Sequence, residues 1–137
     1  VNIKKIYLYM GLLFIIILIS CSFLENGLIK GDVQSIQIAK SKGFGSYASN
    51  DFLNEIRDKE KVKLFKDAIN SAVKQSGVVD MIDPIYDVKL ISDDDQTQEL
   101  YLWLYETSGS VMTVEDTHTV YSISEKNAEK LYDIVRD

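Results

Sequence analysis

The sequence predicts an α+β domain: a mainly antiparallel sheet of about five strands with two helices packed on one face, in the order β-β-α-β-β-β-α. Three observations lead there. Short runs alternate apolar and polar residues, two longer stretches repeat apolar residues every three or four positions, and the links between the later runs are short and rich in Gly and Asp. Short links can join only antiparallel neighbours, because a parallel crossover needs a dozen residues or more.

The first strand begins at Val33, where Val33, Ser35 and Gln37 alternate with Ile36 and Ile38. Lys42-Gly43-Phe44-Gly45-Ser46 breaks the run as a loop, and Phe52, Leu53 and Ile56 make a short second strand. Asp58 is placed to accept hydrogen bonds from the free amides of a helix start. The apolar stripe Val62, Phe65, Ala68, Ile69, Ala72 and Val73 carries that helix on to a stop at Gly77. Tyr86 to Ser92 alternates as a strand, Asp93-Asp94-Asp95-Gln96 turns, and Glu99 to Glu106 is the strongest strand of the chain. Gly109 turns again into Val111–Val114, and Thr119 to Ile123 closes an antiparallel meander. Ser124 then caps a last helix with an apolar face of Ala128, Leu131, Tyr132 and Val135.

The N-terminal stretch has a different logic. Lys4 and Lys5 precede an apolar run from Ile6 to Ile19, the layout of a secretory signal. The run ends in Leu18-Ile19-Ser20-Cys21, which resembles the lipobox of bacterial lipoprotein precursors. That resemblance implies cleavage between Ser20 and Cys21 and a diacylglyceryl thioether on Cys21. The expected division is a signal peptide over 1–20, a lipidated, flexible tether over 21–32, and one globular domain over 33–137. An uncleaved membrane-spanning anchor is the alternative, and it places the domain on the same extracytoplasmic side.

Charge and cysteine usage exclude several functions. Removing residues 1–20 takes away Lys4 and Lys5 from the 15 basic residues and none of the 21 acidic ones, so the formal charge falls from −6 to −8. Such a surface repels phosphate backbones, and no nucleic-acid partner is expected. Cys21 is the single cysteine, which rules out an internal disulfide and a thiolate metal site. No cofactor and no metal are expected.

The residues that bear chemistry are few. His118, beside Glu115 and Asp116, has the makings of a base oriented by a carboxylate, yet no nucleophile motif accompanies it. Asp80, Asp83 and Asp87 surround Pro84, where turn formation and capping are the simpler account than acid–base work. Asp93, Asp94 and Asp95 offer hard oxygen ligands in the wrong spacing for a calcium loop, and read as a solvated turn. Tyr101, Trp103 and Tyr105 share one face of the strongest strand, opposite Leu100, Leu102 and Leu104. If the leucines meet the helices, the aromatic row is either a binding platform or the underside of a doubly covered strand. Double cover is the commoner outcome for a strand apolar on both faces.

The lipobox, Gly77-Val78-Val79-Asp80-Met81, Asp83-Pro84-x-Tyr86, Leu102-Trp103-Leu104 and Asp116-Thr117-His118-Thr119-x-Tyr121 together resemble the YhfM-like lipoproteins of Gram-positive bacteria. The resemblance implies the fold and the membrane location and supplies no mechanism. Two functional expectations follow. The leading one is a non-enzymatic module that binds an envelope protein or a cell-wall component through the Tyr101–Trp103–Tyr105 row. The rival is a small envelope hydrolase that uses carboxylates near Asp80 and Asp83, with His118.

Overall fold

Pairing of alternating strands builds the sheet outward from the middle of the chain. A computed structural model describes residues 2–7, 9–10, 27–45, 51–77 and 80–137. The strands are β1 (Val33–Lys40), β2 (Phe52–Ile56), β3 (Val73–Lys74), β4 (Tyr86–Ser92), β5 (Thr97–Leu104), β6 (Gly109–Thr113) and β7 (Tyr121–Ile123). They form one seven-stranded sheet in the order β2-β1-β4-β5-β6-β7-β3. Every pairing is antiparallel. The meander from β4 to β7 is as expected. The hairpin of β1 and β2 adds to its open side, with β1 running along β4.

The first of two helices in the domain, α1, spans Lys59–Asn70 and begins as its sequence dictates, with the Asp58 carboxylate accepting from the Lys61 amide at 3.0 Å. Its end differs from the expectation. Apolar spacing runs on through Ala72 and Val73, but the helix stops at Asn70 and Val73–Lys74 pairs with β7 as β3. At the stop, the Ser71 hydroxyl donates to the Asp67 carbonyl at 2.7 Å and the Ala72 amide reaches the Ile69 carbonyl at 3.1 Å. This tightens the last turn, and the open edge of β7 offers the next residues a ladder partner instead. Gly77, at φ 92°, lies in the following loop. Short strands such as β3 make the sheet wider than the five or so expected.

The second helix, α2, spans Glu125–Arg136, with Ser124 as its N-cap. Both helices cover the same face of the sheet, as expected. Val62, Phe65, Ala68 and Ile69 of α1 and Ala128, Leu131, Ile134 and Val135 of α2 share a core with Ile36, Ile38, Val88, Leu90, Leu100, Leu102 and Leu104. Each large apolar side chain buried there contributes on the order of 1.5–3 kcal/mol. The Asn54 amide adds a polar tie, donating to the Ile134 carbonyl at 3.4 Å.

The chain joins this core before β1 starts. Ile29 is 2% exposed and packs on the helix side. Asn70 Oδ1 accepts from the Ile29 amide at 2.8 Å, and Asn70 Nδ2 donates to the Ile29 carbonyl at 3.2 Å. Gln98 treats Lys30 the same way, accepting from its amide at 3.0 Å and donating to its carbonyl at 2.7 Å. Lys66 Nζ donates to the Gly31 carbonyl. Within 21–32, the stretch expected as flexible tether, residues 29–31 are therefore held onto the domain. Residues 3–7 and 9–10 are helical, and among the described residues no helix is long and apolar enough to cross a membrane. Leu18, Ile19, Ser20 and Cys21 lie outside the described residues.

Candidate functional site

The sheet's second face is half polar and half covered, and one carboxylate lies where the halves meet. Strand alternation puts Ala39, Asp87, Tyr101 and Met112 side by side across β1, β4, β5 and β6. On the covered side, Tyr101, Trp103, Met112 and Val120 form a small second core with Met81, Ile85 and Val114 packed against it. On the other side the cross-strand row is Gln37, Lys89 and Glu99.

The aromatic row is thus an underside, not a platform. Tyr101 and Trp103 are 2% and 3% exposed, while Tyr105, beyond the end of β5, is 49% exposed. The link from Met81 to Ile85 lies over them because the indole pulls it down. Trp103 Nε1 donates to the carbonyls of Ile82 at 3.0 Å and Asp83 at 3.1 Å. Backbone bonds from the Ile85 amide to the Leu102 carbonyl and from the Ser41 amide to the Ile85 carbonyl close the link against β5 and the end of β1.

Phe44 roofs the other end. Its ring meets Tyr101 edge-on at 5.2 Å and leans over Trp103 at 5.9 Å. The flanking Gly43 and Gly45 have φ of 102° and 77°, which residues with a Cβ adopt only at a cost. This turn also aims the Gly45 amide at the Tyr101 hydroxyl, which accepts from it at 2.9 Å.

Asp87 sits at the edge of this aromatic cover. It is 4% exposed, and neither carboxylate oxygen has a hydrogen-bond partner among the described residues. Leaving a buried polar group unpaired costs about 1–3 kcal/mol, more for a charged one, so such a group calls for an explanation in chemistry or ligand binding. A carboxylate kept free of partners at the margin of an apolar cluster can take a proton from a bound molecule or give one to it.

The other candidate residues do not converge. Asp80 and Asp83 are exposed, and no hydrogen bond or ion pair among the described residues joins either to His118. The His118 side chain is 95% exposed, with Nδ1 at 3.9 Å from Asp116 Oδ1. Asp116 serves its own turn: hydrogen bonds from the Thr119 side chain and then the His118 amide hold its carboxyl below the usual aspartate value. Asp93, Asp94 and Asp95 are exposed in the β4–β5 turn, where Asp95 has φ 60°. Among the described residues no group of three or more His, Cys, Asp or Glu is spaced to hold a metal. A groove of about 890 Å³ runs between residues 27–32 and the β4–β5 turn, and its carboxylates include Asp32, Asp93, Asp94, Glu99 and Glu115. Asp87 is not part of it.

In the sequence Asp87 reads as a turn residue near Pro84. The signal was present in the alternation of β4, which puts Asp87 on the face opposite Val88 and Leu90. What was missing was the register that sets it beside buried Tyr101.

No curated protein matches the sequence. A solved structure described as a thioesterase-like protein from Clostridium sporogenes ATCC 15579 has the same fold, with a TM-score of 0.59 and 23% identity over 76% of this chain and 94% of that one. These findings correct the leading expectation. A non-enzymatic module binding through an exposed aromatic row loses its surface, since Tyr101 and Trp103 are buried, and the neighbour in fold is a thioesterase-like protein. Residues 30–137 match the model of the YhfM protein family, and the chain belongs to that family.

Proposed function

We propose that the protein is a small hydrolase of esters or thioesters, held on the extracytoplasmic face of the membrane by a diacylglyceryl group on Cys21. The observation that carries the catalytic half is Asp87, a buried carboxylate with no hydrogen-bond partner among the described residues. In this reading Asp87 takes a proton from a water as the water oxygen bonds to the acyl carbon. The bond to the leaving sulfur or oxygen then breaks, and the proton passes to that atom, giving an acid and a thiol or alcohol. The aromatic edges of Phe44 and Tyr101 give an acyl group an apolar neighbour. The fold shared with a thioesterase-like protein supports the reaction class, and His118 has no part in it.

The anchoring half rests on Leu18-Ile19-Ser20-Cys21 behind an apolar run with Lys4 and Lys5 at its start. Two acyl chains on one residue hold a protein to a bilayer far more firmly than one.

The test is hydrolysis of 4-nitrophenyl butyrate and of butyryl thioesters by the purified full chain and by Asp87→Asn. Loss of about a hundredfold or more in kcat/KM, with folding intact, is expected when a general base is removed. Equal rates in both proteins, or none in the parent, reject the catalytic reading. Mass spectrometry of the membrane-extracted protein tests the anchor, which requires a diacylglyceryl mass on Cys21 that Cys21→Ser lacks.

A further inference from the structure

The clamp on residues 29 and 30 shortens the leash between a lipid at Cys21 and the fold, and it does so at one end of the sheet. We infer that it turns the rim made by the β4–β5 turn and the end of α1 toward the bilayer, and the Asp87–Tyr101 site away from it. The inference rests on the lipid at Cys21 proposed above.

Reach sets the geometry. From Cys21 to Gly27 there are six residue steps, and a fully extended chain covers at most about 3.3–3.6 Å per step, so Gly27 stays within about 20 Å of the lipidated residue. Gly27 and Leu28 line the same groove as Ser92, Asp94 and Gln96 of the β4–β5 turn. They lie beside Asn70 at the last residue of α1. That end of the sheet is where β1 and β5 begin and β4 ends. Asp87 and Trp103 lie at the other end, with Ala39 level with Asp87. Six residue steps separate Ala39 from Val33, about 20 Å at 3.3 Å each.

Without the clamp the leash would run to Val33, and twelve steps reach about 40 Å, enough for the domain to present any face. Charge does not hold the rim in place, because Asp93, Asp94 and Asp95 are repelled by anionic headgroups. The side-chain amides of Asn70 and Gln98 do so, by pairing with the backbone of Ile29 and Lys30. The consequence for function is a substrate drawn from the aqueous side of the envelope, since the site faces away from the lipid.

The lipidated full chain in phosphatidylcholine vesicles with a headgroup-labelled acceptor lipid tests this. Cys21 is the sole cysteine and carries the lipid, so a dye attaches only to an introduced thiol, in Asp94→Cys or in Tyr105→Cys. Asp94 is exposed at the near rim and Tyr105 is exposed beyond the far end of β5. Energy transfer severalfold stronger from position 94 than from 105 is expected, and Asn70→Ala with Gln98→Ala should bring the two toward equality. Equal transfer in the clamped protein, or stronger transfer from 105, overturns the orientation while a diacylglyceryl mass at Cys21 keeps the anchor. Absence of both transfer and that mass overturns the anchor and the orientation with it.

Discussion

Asn70 satisfies both backbone groups of Ile29, accepting from its amide at 2.8 Å and donating to its carbonyl at 3.2 Å. A side-chain amide here does the work of a neighbouring strand. It lets a segment that belongs to no sheet lay an isoleucine in the core with its polar backbone paired. Asn70→Ala leaves both groups without that partner, and a loss of about 1–3 kcal/mol in urea unfolding is expected, with faster hydrogen exchange at the Ile29 amide. Gln98→Ala acts on more exposed bonds and should cost less. An Asn70→Ala protein as stable as the parent would mean that residues 27–32 lie free.

Trp103 is a structural anchor. Its indole N–H is shared between two carbonyls of the covering link, so Trp103→Phe should cost about 1–2 kcal/mol through the lost donor. Trp103→Ala should cost about 3–5 kcal/mol through the cavity. Calorimetry checks both. An alanine variant with unchanged melting would place the ring at the surface.

Asp87 carries an opposite sign. A buried carboxylate with no hydrogen-bond partner among the described residues destabilises its surroundings, so Asp87→Val, a good strand residue, should raise stability by about 1–3 kcal/mol while abolishing the proposed hydrolysis. Stability gained as activity is lost is the mark of a group kept for chemistry. A destabilised Asp87→Val protein would instead reveal a partner for the carboxylate in solution.

His118→Ala should change stability by no more than about 0.5 kcal/mol and the proposed hydrolysis by no more than about twofold, since exposed substitutions away from caps and cores have small effects. A large loss of hydrolysis would return His118 to the active site.

The Asp116 turn predicts a pH dependence. Its carboxyl is held below the ordinary value by hydrogen bonds to the charged form, chiefly from Thr119. The turn's support is therefore complete above the unfolded aspartate value, near pH 4, and fades as pH falls through the lower folded one. The His118 amide resonance should titrate with a midpoint below that of an unfolded aspartate, and Thr119→Val should move it up. A midpoint at the ordinary value in the parent would show that these bonds do not persist in solution.

Much of the fold is legible in local pattern. Asp58 and Ser124 mark the helix starts because a cap needs only a side-chain oxygen near the amide three residues on. Alternation alone sets the β5 leucines opposite Tyr101 and Trp103, and packing then turned the leucines toward the helices. Leu18-Ile19-Ser20-Cys21 resembles a lipobox on adjacent residues alone, so the anchor proposed above owes nothing to how the domain folds. Tertiary structure decided the rest. Helical spacing ran through Val73, yet the open edge of β7 claimed it as β3. The polar pattern of residues 27–32 read as tether, yet Asn70 and Gln98, 41 and 68 residues away from the backbone groups they hold, pinned it down. Asp87 reads as a turn residue in the sequence, and only the register of β4 against β5 sets it beside Tyr101 at the edge of the aromatic cover. Local spacing determines helix caps and which side chains of a strand share a face; burial and partnership depend on which distant strands meet, and only the folded chain brings those together.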